Sequence, residues 1–277
     1  MPEPINPVHL DLHLHSTCSD GAVAPQALPE LARRGGLHAI ALTDHDTASG
    51  VVAAQDAARA LGLLVIAGTE LTCDLDGREV HLLGYGIDPG DAGLRRLAGR
   101  RREARLERLA AIVERLRSLG VDVRVEDVTP PEGNASPGRP HVAEALVRRG
   151  VVRSIQEAFS RYLADGAPAF VPPRGVPVAE AIAAVAAAGG CSVWAHPSLE
   201  DAAHFGRLRE SGLEGVETLR PGVAPTVSLA LEQAARECGL LVSGGSDWHG
   251  GTPVLGSWFV TERHVGGLLD RLGLAVG

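Results

Sequence analysis

One pattern recurs along this chain and constrains its fold more than any other: a short apolar run closes on a histidine or an acid. "VHLDLHL" carries His13 and His15, with Asp20 just beyond, and "IALTDHD" ends in Asp44, His45 and Asp46. "VIAGTEL" holds Glu70, "EVHLLG" holds His81, "SVWAHP" ends in His196, and "VSGGSDWH" ends in Asp247 and His249. Residues i and i+2 of a strand share a face. His13 and His15 therefore point together with Asp11 beside them, and Leu10, Leu12 and Leu14 take the other side. A lone histidine after a strand is usually a hydrogen-bonded structural residue, and His9, His38, His204 and His264 are read that way. Six histidines on five strand segments are different. Burying so many titratable groups uncompensated costs several kcal/mol each. A bound metal removes that cost, because neutral imidazole and ionised carboxylate are the ligating forms.

Between the apolar runs lie helical patterns such as "PQALPELARRG", "GVVAAQDAARALG", "VAEAIAAVAAAGG" and "SLALEQAARECG". Strand and helix in alternation imply parallel strands joined by right-handed crossovers. At least six such strands, with no Gly-rich nucleotide fingerprint, favour an α/β TIM-like barrel over an open sheet. In such a barrel the strand ends converge on one face, where the active site lies. "LTCDLDGREVHLLGYGI" reads as a hairpin turned at Asp76-Gly77.

The middle of the chain breaks the rhythm. "LRRLAGRRREARLERLAAIVERLRSLG" is a long helix with Leu94, Leu97, Leu106, Leu109, Val113, Leu116 and Leu119 at helical spacing. The loop "TPPEGNASPGRP" and two shorter helical segments follow. Residues 94–165 are thus expected to be a helical insertion, a lid, between barrel segments 1–93 and 166–277. The arginines 100–102, with Arg105 and Arg108, read as a solvated helix face.

Several functions are excluded. A net charge of −8 argues against a stable duplex nucleic-acid partner. No apolar run reaches the roughly 18 residues of a membrane span. "MPEPINPVHL" lacks a secretory signal, so a cytoplasmic location is expected. Cys18, Cys73, Cys191 and Cys238 form no CxxC pair and read as reduced packing residues, with Cys18 near the polar face. Neither a GxSxG elbow nor a P-loop occurs.

Imidazoles and carboxylates without a thiolate suit Mn, Fe or Zn better than Mg or Ca. Nine ligands exceed the needs of one ion, so two or three divalent ions are expected. Such a cluster lowers the pKa of a water toward neutrality and clamps an anionic oxygen during in-line displacement. Phosphate ester hydrolysis is the chemistry it suits.

The succession HxH, Asp20, "TDHD", Glu70, His81, "AHP" and "GGSDWH" resembles the polymerase and histidinol phosphatase (PHP) superfamily of metal-dependent phosphoesterases. The likeness extends from about His9 to Gly256. "GRPHVAEALVRRG", "FSRYLADG" and "AFVPP" resemble the stand-alone branch of 3′,5′-bisphosphate nucleotide phosphatases and 5′→3′ exoribonucleases. The resemblance implies a distorted (β/α)7 barrel. It implies one ion on His13, His15, Glu70 and Asp247. A second would be bridged by Glu70 and held by His81 and His196, and a third by Asp20, His45 and His249. Asp44 and Asp46 are read as orienting His45. Arg139 and His141 of "GRPH" match a block placed over the cluster. An arginine there suits bidentate phosphate recognition, and a histidine can protonate a leaving group. The alternative for Arg139 is a structural arginine bonding local carbonyls.

The resemblance implies that members of that branch often carry a lysine and a tyrosine where Ala167 and Phe170 stand here, with Arg174 as a substitute contact. The expected activity is hydrolysis of a phosphate monoester of a small nucleotide by a metal-bound hydroxide, Mn²⁺ being the expected metal. His141, Asp247 and Arg139 are the expected catalytic residues. One alternative is a 5′→3′ exoribonuclease on short RNA. Another is a non-catalytic, metal-stabilised accessory module, against which all nine ligand positions are filled.

Overall fold

The computed structural model describes residues 7–129, 138–172 and 174–274. The first six residues of the stretch read for a signal and most of the expected loop over 129–140 lie outside the described residues.

Seven strands wrap into a nearly closed barrel: β1 (His9–Leu14), β2 (Ala39–Leu42), β3 (Leu64–Leu75), β4 (Arg78–Tyr85), β6 (Cys191–Trp194), β7 (Gly215–Leu219) and β8 (Leu241–Gly244). Two short strands accompany them, β5 (Val176–Pro177) beside β3 and β9 (Val260–Thr261) beside β1. The order is β8-β7-β6-β4-β3-β2-β1-β9. Closure comes from the chain just past β8, where His15 N–H donates to the Trp248 carbonyl at 3.0 Å. Gly245 makes this approach possible: a Cβ there would stand 2.2 Å from that of His13.

The hairpin expected at Asp76-Gly77 is present, and it reverses one strand of the barrel. β1, β2 and β3 are parallel, as are β6, β7 and β8, but β4 is antiparallel to both β3 and β6. The cause is the Asp76-Gly77 turn, whose φ values of 55° and 85° suit a tight hairpin. This reversed strand is the barrel's distortion, and it sets His81 opposite Thr72, two residues from Glu70. Both faces of β1 are buried, the leucines and Asp11, His13 and His15 alike.

Helices α1 (Leu28–Arg34) and α2 (Val51–Arg59) join the first strands. Then α3 (Ala92–Ser118) leaves the barrel, started by Asp91, whose carboxylate accepts from Leu94 N–H at 2.7 Å. Leu94 and Leu97 pack into the barrel's apolar cluster, whereas Leu109, Ile112, Val113 and Leu116 build a separate one. That second core is completed from α4 (Val125–Val128), α5 (Arg139–Arg148), α6 (Ile155–Ala158) and the π-helical turn Phe159–Leu163. The chain returns through α7 (Val178–Ala187), α8 (Phe205–Glu210), α9 (Pro225–Glu237) and α10 (Glu262–Arg271). No helix among the described residues is long and apolar enough to cross a membrane.

Candidate metal centre

The strand ends bring the nine expected side chains together around Glu70. Its Oε2 lies 3.3 Å from His13 Nε2, 3.2 Å from His15 Nε2 and 3.0 Å from His45 Nδ1. Its Oε1 lies 2.9 Å from His81 Nδ1 and 3.2 Å from His196 Nε2. Asp247 Oδ1 stands 3.3 Å from His13 Nε2 and 3.0 Å from His15 Nε2, while Asp20 Oδ1 stands 3.3 Å from His249 Nε2.

Three groups have the spacing to hold a cation: His13, His15, Glu70 and Asp247; His45, Glu70 and His81; and His15, Asp20, His45 and His249. Glu70 has two oxygens and can face two ions, but a neutral imidazole offers one lone pair. His15 and His45, each in two groups, can therefore serve one ion at a time.

The donor set fits divalent metal. His13 Nε2, His15 Nε2, His45 Nδ1, Glu70 Oε2 and Asp20 Oδ1 are buried without a hydrogen bond among the described residues. Buried polar atoms are rarely left so. Protons compete for these positions. Burial pushes His15 down, but Asp247 and Glu70 outweigh it and carry its pKa up to about 10. Burial likewise depresses His81, and Glu70 reverses this to about 10. His45 yields to burial and falls to about 3, against the pull of Glu70 and Asp20. Burial raises Glu70, yet His45, His13 and His81 hold it well below the carboxylate range.

Around this cluster stands a supporting layer the sequence only partly disclosed. Glu217 on β7 takes His13 Nδ1–H at 3.0 Å, fixing the tautomer that leaves Nε2 toward Glu70. Its other oxygen accepts from the His196 backbone N–H at 2.8 Å. It too is a carboxylate on an apolar strand, "LEGVETL", the same signal that found the others.

The expected orientation of His45 by its flanking acids is corrected. Asp44 accepts from Ser16 N–H, Ser16 Oγ and Ser19 Oγ at 2.6–2.7 Å, and Ser19 in turn reaches His15 Nδ1 at 3.4 Å. Asp46 accepts from Thr72 and from Arg105. Asp11 accepts from Ser246 N–H at 2.8 Å, fastening β1 to the loop after β8; burial pushes its carboxyl up to about 7.

The solvated reading of the arginine run is also corrected. Arg100 is exposed and pairs with Glu180, but Arg101 is buried and Arg105 nearly so, both against Asp46. A helix crossing over a barrel end turns one stripe inward, and here that stripe is cationic.

Asp46, His196 and Asp247 adopt left-handed φ values of 51°, 38° and 55°. Among described non-glycine residues only Asp76 of the hairpin turn shares that region. Strain of this kind persists where surrounding structure enforces it.

Arg139 begins α5, bonds Asp165 at 2.9 Å and the Leu163 carbonyl at 3.3 Å, and lies over the Phe159 and Phe170 rings. His141 Nδ1 accepts from Gly138 N–H, and its ring lines a hollow of about 540 Å³ whose opposite wall includes Cys18 and Asp20. Arg174 is exposed, and its recorded contact is through its carbonyl, which accepts from Arg101. His38, His204 and His264 make local contacts away from the cluster, with His9, Trp194 and Thr261.

A PHP domain profile matches residues 11–120. The 5′-3′ exoribonuclease of Haemophilus influenzae is 32% identical over 245 residues, 86% of this chain and 89% of its own. The 3′,5′-nucleoside bisphosphate phosphatase of Chromobacterium violaceum is 31% identical over 254 residues, 87% of each chain. A solved structure from Bifidobacterium adolescentis, assigned as a metal-dependent phosphoesterase, superposes with a TM-score of 0.86 at 34% identity, covering 97% of this chain and 98% of that one. Family, fold and cluster agree: the chain belongs to the PHP family and is a metal-dependent phosphoesterase.

Proposed function

We propose that the enzyme removes a phosphate from a small nucleotide, a 3′,5′-bisphosphate being the substrate class, with two or three divalent ions, Mn²⁺ foremost and Fe²⁺ or Zn²⁺ as substitutes. The observation that carries this reading is the convergence of five imidazoles on the two oxygens of Glu70, those facing Oε2 buried without a hydrogen bond among the described residues, beside a hollow roofed by the insertion. The Chromobacterium relative's named activity supports the substrate class. Four free cysteines support a cytoplasmic setting. Residues 94–165 are assigned as the insertion that closes over the site.

His13, His15, Glu70 and Asp247 would hold one ion, Glu70, His81 and His196 a second, and Asp20, His45 and His249 a third. Bound there, the metals supply Lewis acidity, bringing the pKa of water toward neutrality and neutralising phosphoryl charge. Asp247 is the carboxylate that faces substrate, since its side chain is 42% exposed against 1% for Glu70 and 9% for Asp20. His141 keeps Nε2 for the leaving oxygen. Arg139 offers a guanidinium whose present partner, Asp165, is 82% exposed and exchangeable for phosphate. Arg174 is the third proposed contact to substrate.

The deciding experiment is a phosphate-release screen over nucleotides, bisphosphates, sugar phosphates and short RNA with added Mn²⁺. Bisphosphates should give the highest kcat/KM, and exhaustive chelation should abolish turnover. Stepwise shortening of 5′-phosphorylated RNA at a higher kcat/KM would establish the second reading, which the Haemophilus relative supports. Release from no phosphoester would leave an accessory module.

A further inference from the structure

A second hollow, of about 470 Å³, opens at another edge of the cluster and shares no wall residue with the one under the insertion. His196 and Asp247 form its inner wall, and the turn after β7, with Arg220 and Gly222, forms the outer one. Arg220 follows Glu217 by three residues, just past the end of β7, and Glu217 holds the His13 ring and the His196 backbone.

Arg220 is lightly engaged compared with the insertion arginines that stand near the site. Arg105 is bonded to Asp46 and Thr72, Arg139 to Asp165 and the Leu163 carbonyl, and Arg108 to the Val171 carbonyl at 2.8 Å. Arg220 has one long contact, Nη2 to the Pro197 carbonyl at 3.4 Å, and no ion pair among the described residues. A guanidinium presents five donors in a rigid fork matched to phosphate oxygens. Here most of that fork faces a hollow whose one carboxylate, Asp247, is turned to the histidines of the cluster.

We propose that Arg220 is a specificity-determining residue that binds the phosphate not being hydrolysed. The inference rests on the bisphosphate reading above. The scissile group has to lie over the atoms converging on Glu70. An anion on the outer wall belongs to a different part of the substrate, so the hollow suits a nucleotide with two phosphates. A monophosphate fills the cluster and leaves Arg220 unused.

The test uses metal-loaded protein, adenosine 3′,5′-bisphosphate and adenosine 3′-monophosphate. In Arg220→Ala and Arg220→Gln, kcat/KM for the bisphosphate should fall about 10–100-fold, the worth of a charge-assisted contact. The loss should appear in KM, because the contact is equal in ground and transition states. The 3′-monophosphate should be turned over as before, and Arg220→Lys should recover part of the preference. Calorimetry should show binding of adenosine 5′-monophosphate weakened by the same factor. Equal losses on both substrates, or no loss on either, overturn the inference. A wild type that hydrolyses neither refutes the bisphosphate reading itself, whereas a wild type active on both with an indifferent Arg220→Ala refutes only the role given to Arg220.

Discussion

Arg105 Nε lies 2.6 Å from Asp46 Oδ2, joining two residues 59 positions apart in a buried ion pair. One sits on the insertion helix, and the other follows His45. Asp46 also donates its backbone N–H to the Glu70 carbonyl at 2.8 Å, so the pair connects the inserted helix to the centre of the cluster. Removing Arg105 leaves Asp46 only the longer contact to Arg101, 3.5 Å away, and losing one partner of a buried pair costs up to about 3–5 kcal/mol. Arg105→Met should lower the urea midpoint accordingly, and Asp46→Asn should cost less in that background than in the wild type. Additive effects in the double-mutant cycle would show that the pair is not coupled.

Glu217 provides a second test. Glu217→Gln keeps the shape but no longer favours the His13 tautomer with Nε2 free. Metal affinity, measured by competition with a chromophoric chelator, should fall about 10–100-fold. An unchanged affinity would remove Glu217 from the support of the site.

The charge balance of the cluster fixes the sign of a pH effect. The folded-state pKa values of His15 and His81, about 10, stand above their ordinary 6.5. Their contribution to stability is complete below pH 6.5 and is lost as the pH rises toward 10. Chelator-stripped protein should therefore melt at progressively lower temperature across that window. Mn²⁺ binding at pH 7.5 must expel these protons, so its calorimetric heat should vary with the ionisation heat of the buffer. Heats independent of the buffer would contradict the protonated state of these imidazoles.

His141→Ala tests the leaving-group role. Turnover of a nucleotide should drop about 10²–10⁴-fold, the range for a positioned general acid. p-Nitrophenyl phosphate, whose leaving group needs no proton, should lose far less. Metal content should stay constant, as His141 lies outside all three ligand groups.

The insertion's own core makes a stability prediction. Leu146 is fully buried there, and Leu146→Ala should cost about 2–5 kcal/mol. The metal stoichiometry should not change, because that core is separate from the barrel's.

How much of this was legible beforehand differs from residue to residue. The nine expected side chains converge because most sit on a barrel strand or just past its end, a position readable from apolar runs; Asp20, in a turn six residues beyond β1, is the exception. The Asp76-Gly77 turn was equally readable, yet its consequence, a reversed strand within the barrel, depends on long-range pairing of β4 with β6. Glu217 carries the same signal, a carboxylate on an apolar strand, but lies inside β7, two residues before its end at Leu219. Arg101 and Arg105 could not be told from exposed neighbours by composition. Which stripe of a helix faces inward is decided by the surface under it, here the Asp46 carboxylate.

The β3–β4 hairpin also bears on how the site assembles. Glu70 and His81 are only 11 residues apart and meet across a two-residue turn, so their encounter closes a short loop. His13 and Glu217, 204 positions apart, meet only when the barrel closes. Contacts of low sequence separation form early, since little loop entropy opposes them. The Glu70 carboxylate and one imidazole are thus held side by side while the chain is still largely open.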